Sequence, residues 1–262
     1  MIKTKVEWID DTHCKLGDVN FQVETGQDLY MNQSLDELQF VIGKSKRMLN
    51  TLVDLPFSKP VRNICEIGIY KGGSAVFYHK LFDPMKIVAI ELNEDPVPVE
   101  ALTSYIKSNS LENTIRTYYG VDQSDRAKID KILNAEMPDQ YFDLIIDDAS
   151  HFLDQTRESF NILFPYLAPE GYYIIEDWGW AHWDVPRWQD NGGPWKDKEP
   201  LTNLIFELTM FLASRPDLVE SVYLLPAYAI IKKTSASKNH ERSYFDLSKS
   251  YKNRGKRVTL LK

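Results

Sequence analysis

Cysteine is scarce: Cys14 and Cys65 are the only two in 262 residues. That excludes a disulfide framework and fits a reducing cytoplasm. Long apolar runs are missing as well. MIKTKVEWIDD has no signal-peptide core and no stretch is apolar enough to span a bilayer, so the expectation is a cytoplasmic protein without a membrane partner. Basic charge is in the minority, with a formal net charge of -7, which argues against nucleic acid as a partner because phosphate binding requires a concentrated basic face. The one basic stretch follows Lys232 and reads as a solvated terminus rather than a binding arm. Internal repeats and low-complexity segments are absent. So is the dinucleotide fingerprint G-x-G-x-x-G.

What is present is an alternation. Short β-rich runs occur at 63–67, 86–92, 115–121, 142–147 and 172–177, and helix-like stretches follow the first four. The clearest of these, 154–171, puts Phe160, Leu163, Phe164 and Leu167 on one face. Alternating β and α segments imply a parallel sheet covered by helices on both sides. A helix at 201–213 is followed by strands at 219–225 and 227–233 joined only through Pro226, a link too short for a parallel crossover. The fold expected is therefore α/β: a doubly wound, Rossmann-like, mainly parallel seven-stranded sheet with an antiparallel last strand. Residues 1–33 are weakly periodic. Ser34 and Glu37 form a capping box ahead of Leu35, Leu38, Val41, Ile42 and Leu49, so the spacing predicts a helix over 34–55. The expected division is an N-terminal segment with this cap helix (1–59), a cofactor-binding core (60–235) and a basic tail (236–262).

Three strand ends carry cofactor-type residues. CEIGIYKGGS (65–74) combines Glu66, Gly68, Tyr70, Gly72, Gly73 and Ser74, and its glycines let the backbone turn sharply and approach a ligand. Glu91 ends the next strand, where a carboxylate can accept both ribose hydroxyls of an adenosine. Asp122 and Gln123 end the third, within reach of an adenine edge. Solvated loop acids are the plain alternative for Glu91 and Asp122.

The fourth and fifth strands stop at acids. FDLIIDDASH (142–151) and YYIIEDW (172–178) place Asp147, Asp148, Glu176 and Asp177 at strand ends, with His151 three residues beyond Asp148. If these strands are neighbours, Asp148, Glu176 and Asp177 converge, and carboxylates held together repel unless a cation neutralises them. Oxygen ligands suit Mg²⁺ or Mn²⁺. Asp147 points to the opposite face from Asp148, which assigns it to the cofactor side rather than the metal. Helix capping by Asp148 or Ser150 is the competing explanation for part of this pattern.

CEIGIYKGGS, VAIELN, GVDQSD, FDLIIDDASH and YYIIEDW resemble, in order and spacing, the class I S-adenosylmethionine-dependent methyltransferases. More narrowly, they are similar to the metal-dependent sugar O-methyltransferases of the macrocin and mycinamicin type. The resemblance covers approximately 60–235, and D-x-S-H followed by E-D-W is its most specific part. It implies that Glu66, Gly68 and Ser74 hold the methionine part of S-adenosylmethionine, Glu91 the ribose, and Asp122 with Gln123 the adenine. It further implies that Asp148, Glu176 and Asp177 bind Mg²⁺ (or Mn²⁺), with His151 as general base and Asp148 beside it in the catalytic pair.

Five of the six tryptophans lie between 178 and 195, directly after the acidic strand end. Trp178, Trp180 and Trp183 are candidates for stacking on a sugar acceptor, and a small apolar core anchoring a long loop is the alternative. The acceptor expected is a small sugar-containing molecule, nucleotide-linked or glycosylated, and a homo-oligomer is possible. The rival readings are a catechol-type O-methyltransferase, which would carry a lysine base and an asparagine ligand where this chain has His151 and Asp177, and a non-catalytic adenosine-binding module.

Overall fold

The computed structural model describes residues 5–23, 39–95, 100–189, 195–236 and 244–253. The chain forms two compact units, Met1–Asp122 and Gln123–Lys262. The first opens with four short strands: β1 (Glu7–Trp8), β2 (His13–Leu16), β3 (Val19–Val23) and β4 (Gln39–Ile42), paired in that order. Strict alternation makes β3 a strand, since Val19, Phe21 and Val23 are buried while Asn20 faces out. β3 and β4 run parallel, and Phe21 meets the Phe77 ring edge-on at 5.4 Å while Phe40 meets Tyr105 at 5.6 Å.

This small sheet corrects the reading of residues 1–55. The helix expected over 34–55 is α1 (Lys46–Asp54), capped by the Ser45 hydroxyl, which accepts from the Met48 amide; Val41 and Ile42 belong to β4 instead. The capping box at Ser34 and Glu37 lies outside the described residues. A short apolar run fits either period, and pairing with β3 decides in favour of strand.

The rest of this unit alternates as expected: β5 (Asn63–Ile67), α2 (Gly73–Phe82), β6 (Lys86–Ile90), α3 (Glu100–Ser108) and β7 (Ile115–Tyr118). β5, β6 and β7 are parallel, so the chain leaves all three at one edge, at residues 68–72, 91–95 and 119–122.

The second unit comprises α4 (Arg126–Glu136), β8 (Phe142–Asp147), α5 (Leu153–Leu163), β9 (Leu167–Glu176), α6 (Pro186–Gln189), α7 (Thr202–Ser214), β10 (Val219–Leu224), β11 (Tyr228–Lys233) and α8 (Leu247–Ser250). The helix expected over 154–171 ends at Leu163. Residues 167–171 extend β9 backwards because Leu167 and Ala168 are buried in the sheet. β8 and β9 are parallel neighbours, and β11 runs antiparallel to both β9 and β10. The strand order of the larger sheet is β10-β11-β9-β8-β5-β6-β7, the mainly parallel seven-stranded sheet with its reversed last strand.

Every residue of β8 is buried, which is why its centre, Leu144 to Ile146, reads as a continuous apolar run rather than an alternating one. On the helical layer, Arg157 of α5 forms a two-pronged pair with Glu207 of α7 at 3.0 and 2.8 Å, a geometry that fixes direction as well as distance. Part of the basic C-terminal segment is packed rather than solvated. Phe245 lies 5.3 Å from the Phe164 ring and 5.6 Å from Phe211, and the Leu247 amide donates to Asn161 at 2.8 Å. Leu247 is fully buried, which stabilises the docking of α8 by roughly 1.5–3 kcal/mol. Neither cysteine is in a disulfide, and both are buried. Among the described residues, no helix is long and apolar enough to cross a membrane.

Candidate active site

In the first unit the loop after β5 is shaped by backbone geometry. Gly68 and Gly72 take positive φ of 93° and 79°, and Tyr70 between them is left-handed at 50°. Glu91, one residue past β6, holds this loop: its Oε2 accepts from the amides of Ile69 at 2.9 Å and Tyr70 at 3.1 Å, while Oε1 accepts from Asn93 at 3.0 Å. A carboxylate fixed by three backbone donors is presented in one orientation, as an acceptor for a diol requires. Glu66 is fully buried in β5, and Ser74 is buried in the first turn of α2. Gly73 owes its identity to packing. A Cβ there would lie 2.1 Å from the carbonyl oxygen of Val41 in β4. Asp122 is half-buried at the end of this unit.

In the second unit the carboxyl ends of β8 and β9 bring three donors together. Asp148, His151 and Asp177 each offer one atom within 4.8 Å of the other two, and His151 Nε2 stands 3.9 Å from Asp148 Oδ1. Asp177 reaches this spot because its backbone turns left-handed, φ 52°, and breaks the strand alternation that would set it opposite Glu176. His151 is left-handed too, at φ 56°. Such conformations cost about 1–3 kcal/mol each outside glycine and cluster where surrounding structure enforces them. Glu176, expected among the metal ligands, is the last residue of β9, almost wholly buried, and outside this three-residue group among the described residues. Two carboxylates beside an imidazole suit a hard divalent cation with a base at hand, so the donor set fits Mg²⁺ or Mn²⁺.

Beneath the cluster lies Asp147. Burial pushes its carboxyl up to about 6, against the opposing pull of a hydrogen bond to Ser159, the nearby His151 and a hydrogen bond from Tyr173. Tyr173 donates to Oδ2 at 3.3 Å and Gln123 Nε2 to Oδ1 at 3.2 Å. The other end of the Gln123 amide accepts from the Ser150 amide at 2.9 Å. Gln123, expected at the adenine, has its side chain engaged at both ends in shaping the 148–151 turn.

The tryptophans form a cluster of their own. Trp180 is buried and meets Trp195 at 4.9 Å, Trp188 meets Trp195 at 4.7 Å, and Trp183 meets Trp188 edge-on at 5.7 Å. Two indole N–H groups of this segment serve the backbone: Trp178 donates to the Leu225 carbonyl at 2.8 Å and Trp180 to the His151 carbonyl at 3.1 Å. This is the anchoring core that the sequence left as one of two alternatives. Trp195, absent from the expected acceptor residues, stacks on His151 with ring centres 6.2 Å apart and planes 26° apart. Its membership in the tryptophan run was the only sequence signal for it.

A family model described as a methyltransferase domain matches residues 65–178. The chain is 35% identical over 127 residues to mycinamicin VI 2''-O-methyltransferase of Micromonospora griseorubida, covering 46% of this chain and 28% of that protein. It is 30% identical over 173 residues to demethylmacrocin O-methyltransferase of Streptomyces fradiae, covering 63% and 39% respectively. Among solved structures, MycE methyltransferase from the mycinamycin biosynthetic pathway, in complex with Mg, SAH and mycinamycin VI, superposes with a TM-score of 0.52 at 24% identity over 75% of this chain and 50% of that one. The matched stretches thus span well under half of these curated relatives. Match and relatives agree in kind: residues 65–178 are similar to a methyltransferase domain, and both relatives are O-methyltransferases.

Proposed function

We propose that this chain is an S-adenosylmethionine- and Mg²⁺-dependent O-methyltransferase acting on a sugar hydroxyl, nucleotide-linked or part of a glycosylated product. The observation that carries this reading is the convergence of Asp148, His151 and Asp177 at the ends of two parallel strands. The chain's similarity to mycinamicin VI 2''-O-methyltransferase and demethylmacrocin O-methyltransferase supports it. On this reading Glu66, Gly68, Tyr70, Gly72 and Ser74 receive the methionine end of the cofactor, Glu91 its ribose and Asp122 its adenine. Asp148 and Asp177 hold the metal, with Glu176 behind them.

When bound, the cofactor supplies an electrophilic methyl group and the metal polarises the acceptor hydroxyl. Everything else falls to the chain. A sugar hydroxyl is a poor nucleophile at neutral pH, and His151 takes its proton as the oxygen attacks. The Asp148 carboxylate stands 3.9 Å from the imidazole Nε2, beside the group that moves the proton. The tryptophan core frames the spot and keeps bulk water from it, with ring faces rather than N–H groups offered to the acceptor. Positioning of this kind contributes up to roughly 7–11 kcal/mol to a bimolecular transfer.

The test is a product assay: protein, methyl-labelled cofactor and Mg²⁺ against glycosides, nucleotide-sugars and catechols. Methylation of a sugar is expected. Methylation of catechols with every sugar inert would move the chain to the catechol class, and cofactor binding without any transfer would make it a binding module.

A further inference from the structure

We infer that Trp180 is a positioning residue for His151: its indole N–H and its ring partner Trp195 together hold the imidazole in the left-handed conformation from which it works. This rests on the reading of His151 as the base. Three independent contacts point the same way. Trp180 Nε1 donates to the His151 carbonyl at 3.1 Å, so it acts on the very peptide whose φ is 56°. Trp195 packs against Trp180 at 4.9 Å and lies nearly parallel to the imidazole. Phe152, the next residue, meets the Trp195 edge at 5.1 Å, which closes the far side. A left-handed histidine relaxes to an ordinary conformation unless its surroundings oppose it. Here the opposition comes from a segment that follows the other strand of the site. Trp180 and Trp195 thus act together as a brace. Asp177 has a parallel arrangement. Its amide donates to the Ala227 carbonyl at 2.8 Å while Trp178 donates to Leu225 in the same turn.

The experiment removes the N–H and keeps a ring: Trp180→Phe. The expected fall in kcat is about 3- to 10-fold, what the loss of one net hydrogen bond amounts to, with S-adenosylhomocysteine affinity unchanged. In a His151→Ala background the same substitution should change kcat less than about twofold, because its effect passes through the missing side chain. Equal losses in both backgrounds would overturn the proposal. A second readout needs neither cofactor nor metal. In protein labelled with nitrogen-15 histidine, the His151 ring signal, assigned by its loss in His151→Ala, should shift or broaden in Trp180→Phe while those of His13 and His79 stay put. An unmoved signal overturns the brace. If Trp180→Phe does not fold, Trp195→Phe gives the same prediction from the other contact, and an unmoved signal there overturns it equally. A His151→Ala enzyme with undiminished kcat would sink the base assignment instead, and the ring signal then decides the brace alone.

Discussion

Gly73→Ala separates two reasons for a glycine in a cofactor loop. If Gly73 exists to admit a ligand, alanine weakens binding and leaves the folded protein untouched. The packing says otherwise. The added Cβ would sit 2.1 Å from the Val41 carbonyl oxygen and 2.9 Å from its carbon, where real contacts almost never fall below 3.0 Å, so backbone must move by about 0.9 Å. That backbone belongs to β4, and Val41 stands opposite Gln22 of β3, so the shift loads the whole parallel pair. Overpacking that displaces backbone costs typically about 1–3 kcal/mol, and with no flexible side-chain end to give way the upper figure applies. At about 2–4 °C per kcal/mol for a chain of this size, the melting temperature falls by about 6–12 °C. The assay is thermal unfolding of the cofactor-free protein, with Gly43→Ala as control because nothing lies within 4 Å of its Cβ position. Unchanged melting of Gly73→Ala, with lost S-adenosylhomocysteine binding, would refute the packing argument and return this glycine to the ligand.

Glu91→Gln should weaken S-adenosylhomocysteine binding by about 10-fold or more in calorimetry, since hydrogen bonds to a charged acceptor are worth about 1.5–3 kcal/mol and the new NH2 group cannot accept from the backbone amides that Glu91 holds; unchanged affinity would remove Glu91 from the ribose. Chelation should abolish turnover while cofactor affinity persists, and His151→Ala should lower kcat by about 10²–10⁴-fold; full activity in excess EDTA would end the metal assignment. Asp147 binds its proton more tightly folded (about 6) than unfolded (3.8), so its contribution is complete below pH 3.8 and is lost as pH rises through 6. Asp147→Asn should therefore stabilise the metal-free protein at pH 7.5 by up to about 3 kcal/mol, a gain that shrinks toward pH 4; urea titrations showing a pH-independent difference would contradict this.

The strands that build the site were legible because burial on both faces writes continuous apolar runs, and FDLIID and YYIIE end at the acids that mark the sheet edge. The reversed β11 was legible from the single-proline link before it. The N-terminal sheet was not. β1 to β4 are two to five residues long, and β4 finds its partner across residues 24–38, a pairing no local window contains. At the site, residue types at strand ends announced Asp148, His151 and Asp177. The left-handed backbones of His151 and Asp177 and the engagement of Trp178, Trp180 and Gln123 with main-chain groups were invisible, because both depend on what lies across the fold rather than along the chain.

The hairpin of β10 and β11 also sets an order of events. β9 ends at residue 176, yet the carbonyl that receives the Asp177 amide belongs to Ala227, and the strand that pairs with β9 starts at Tyr228. A chain emerging from the ribosome therefore carries its acidic strand end for some fifty residues before the turn that fixes it exists. Until then β9 has an open edge. Residues 68–72 can be in place early, whereas the Asp177 turn gains its partner only once residue 227 has been made. A transcript truncated before 227 would encode every acidic residue of the site and still leave Asp177 without the turn that shapes it.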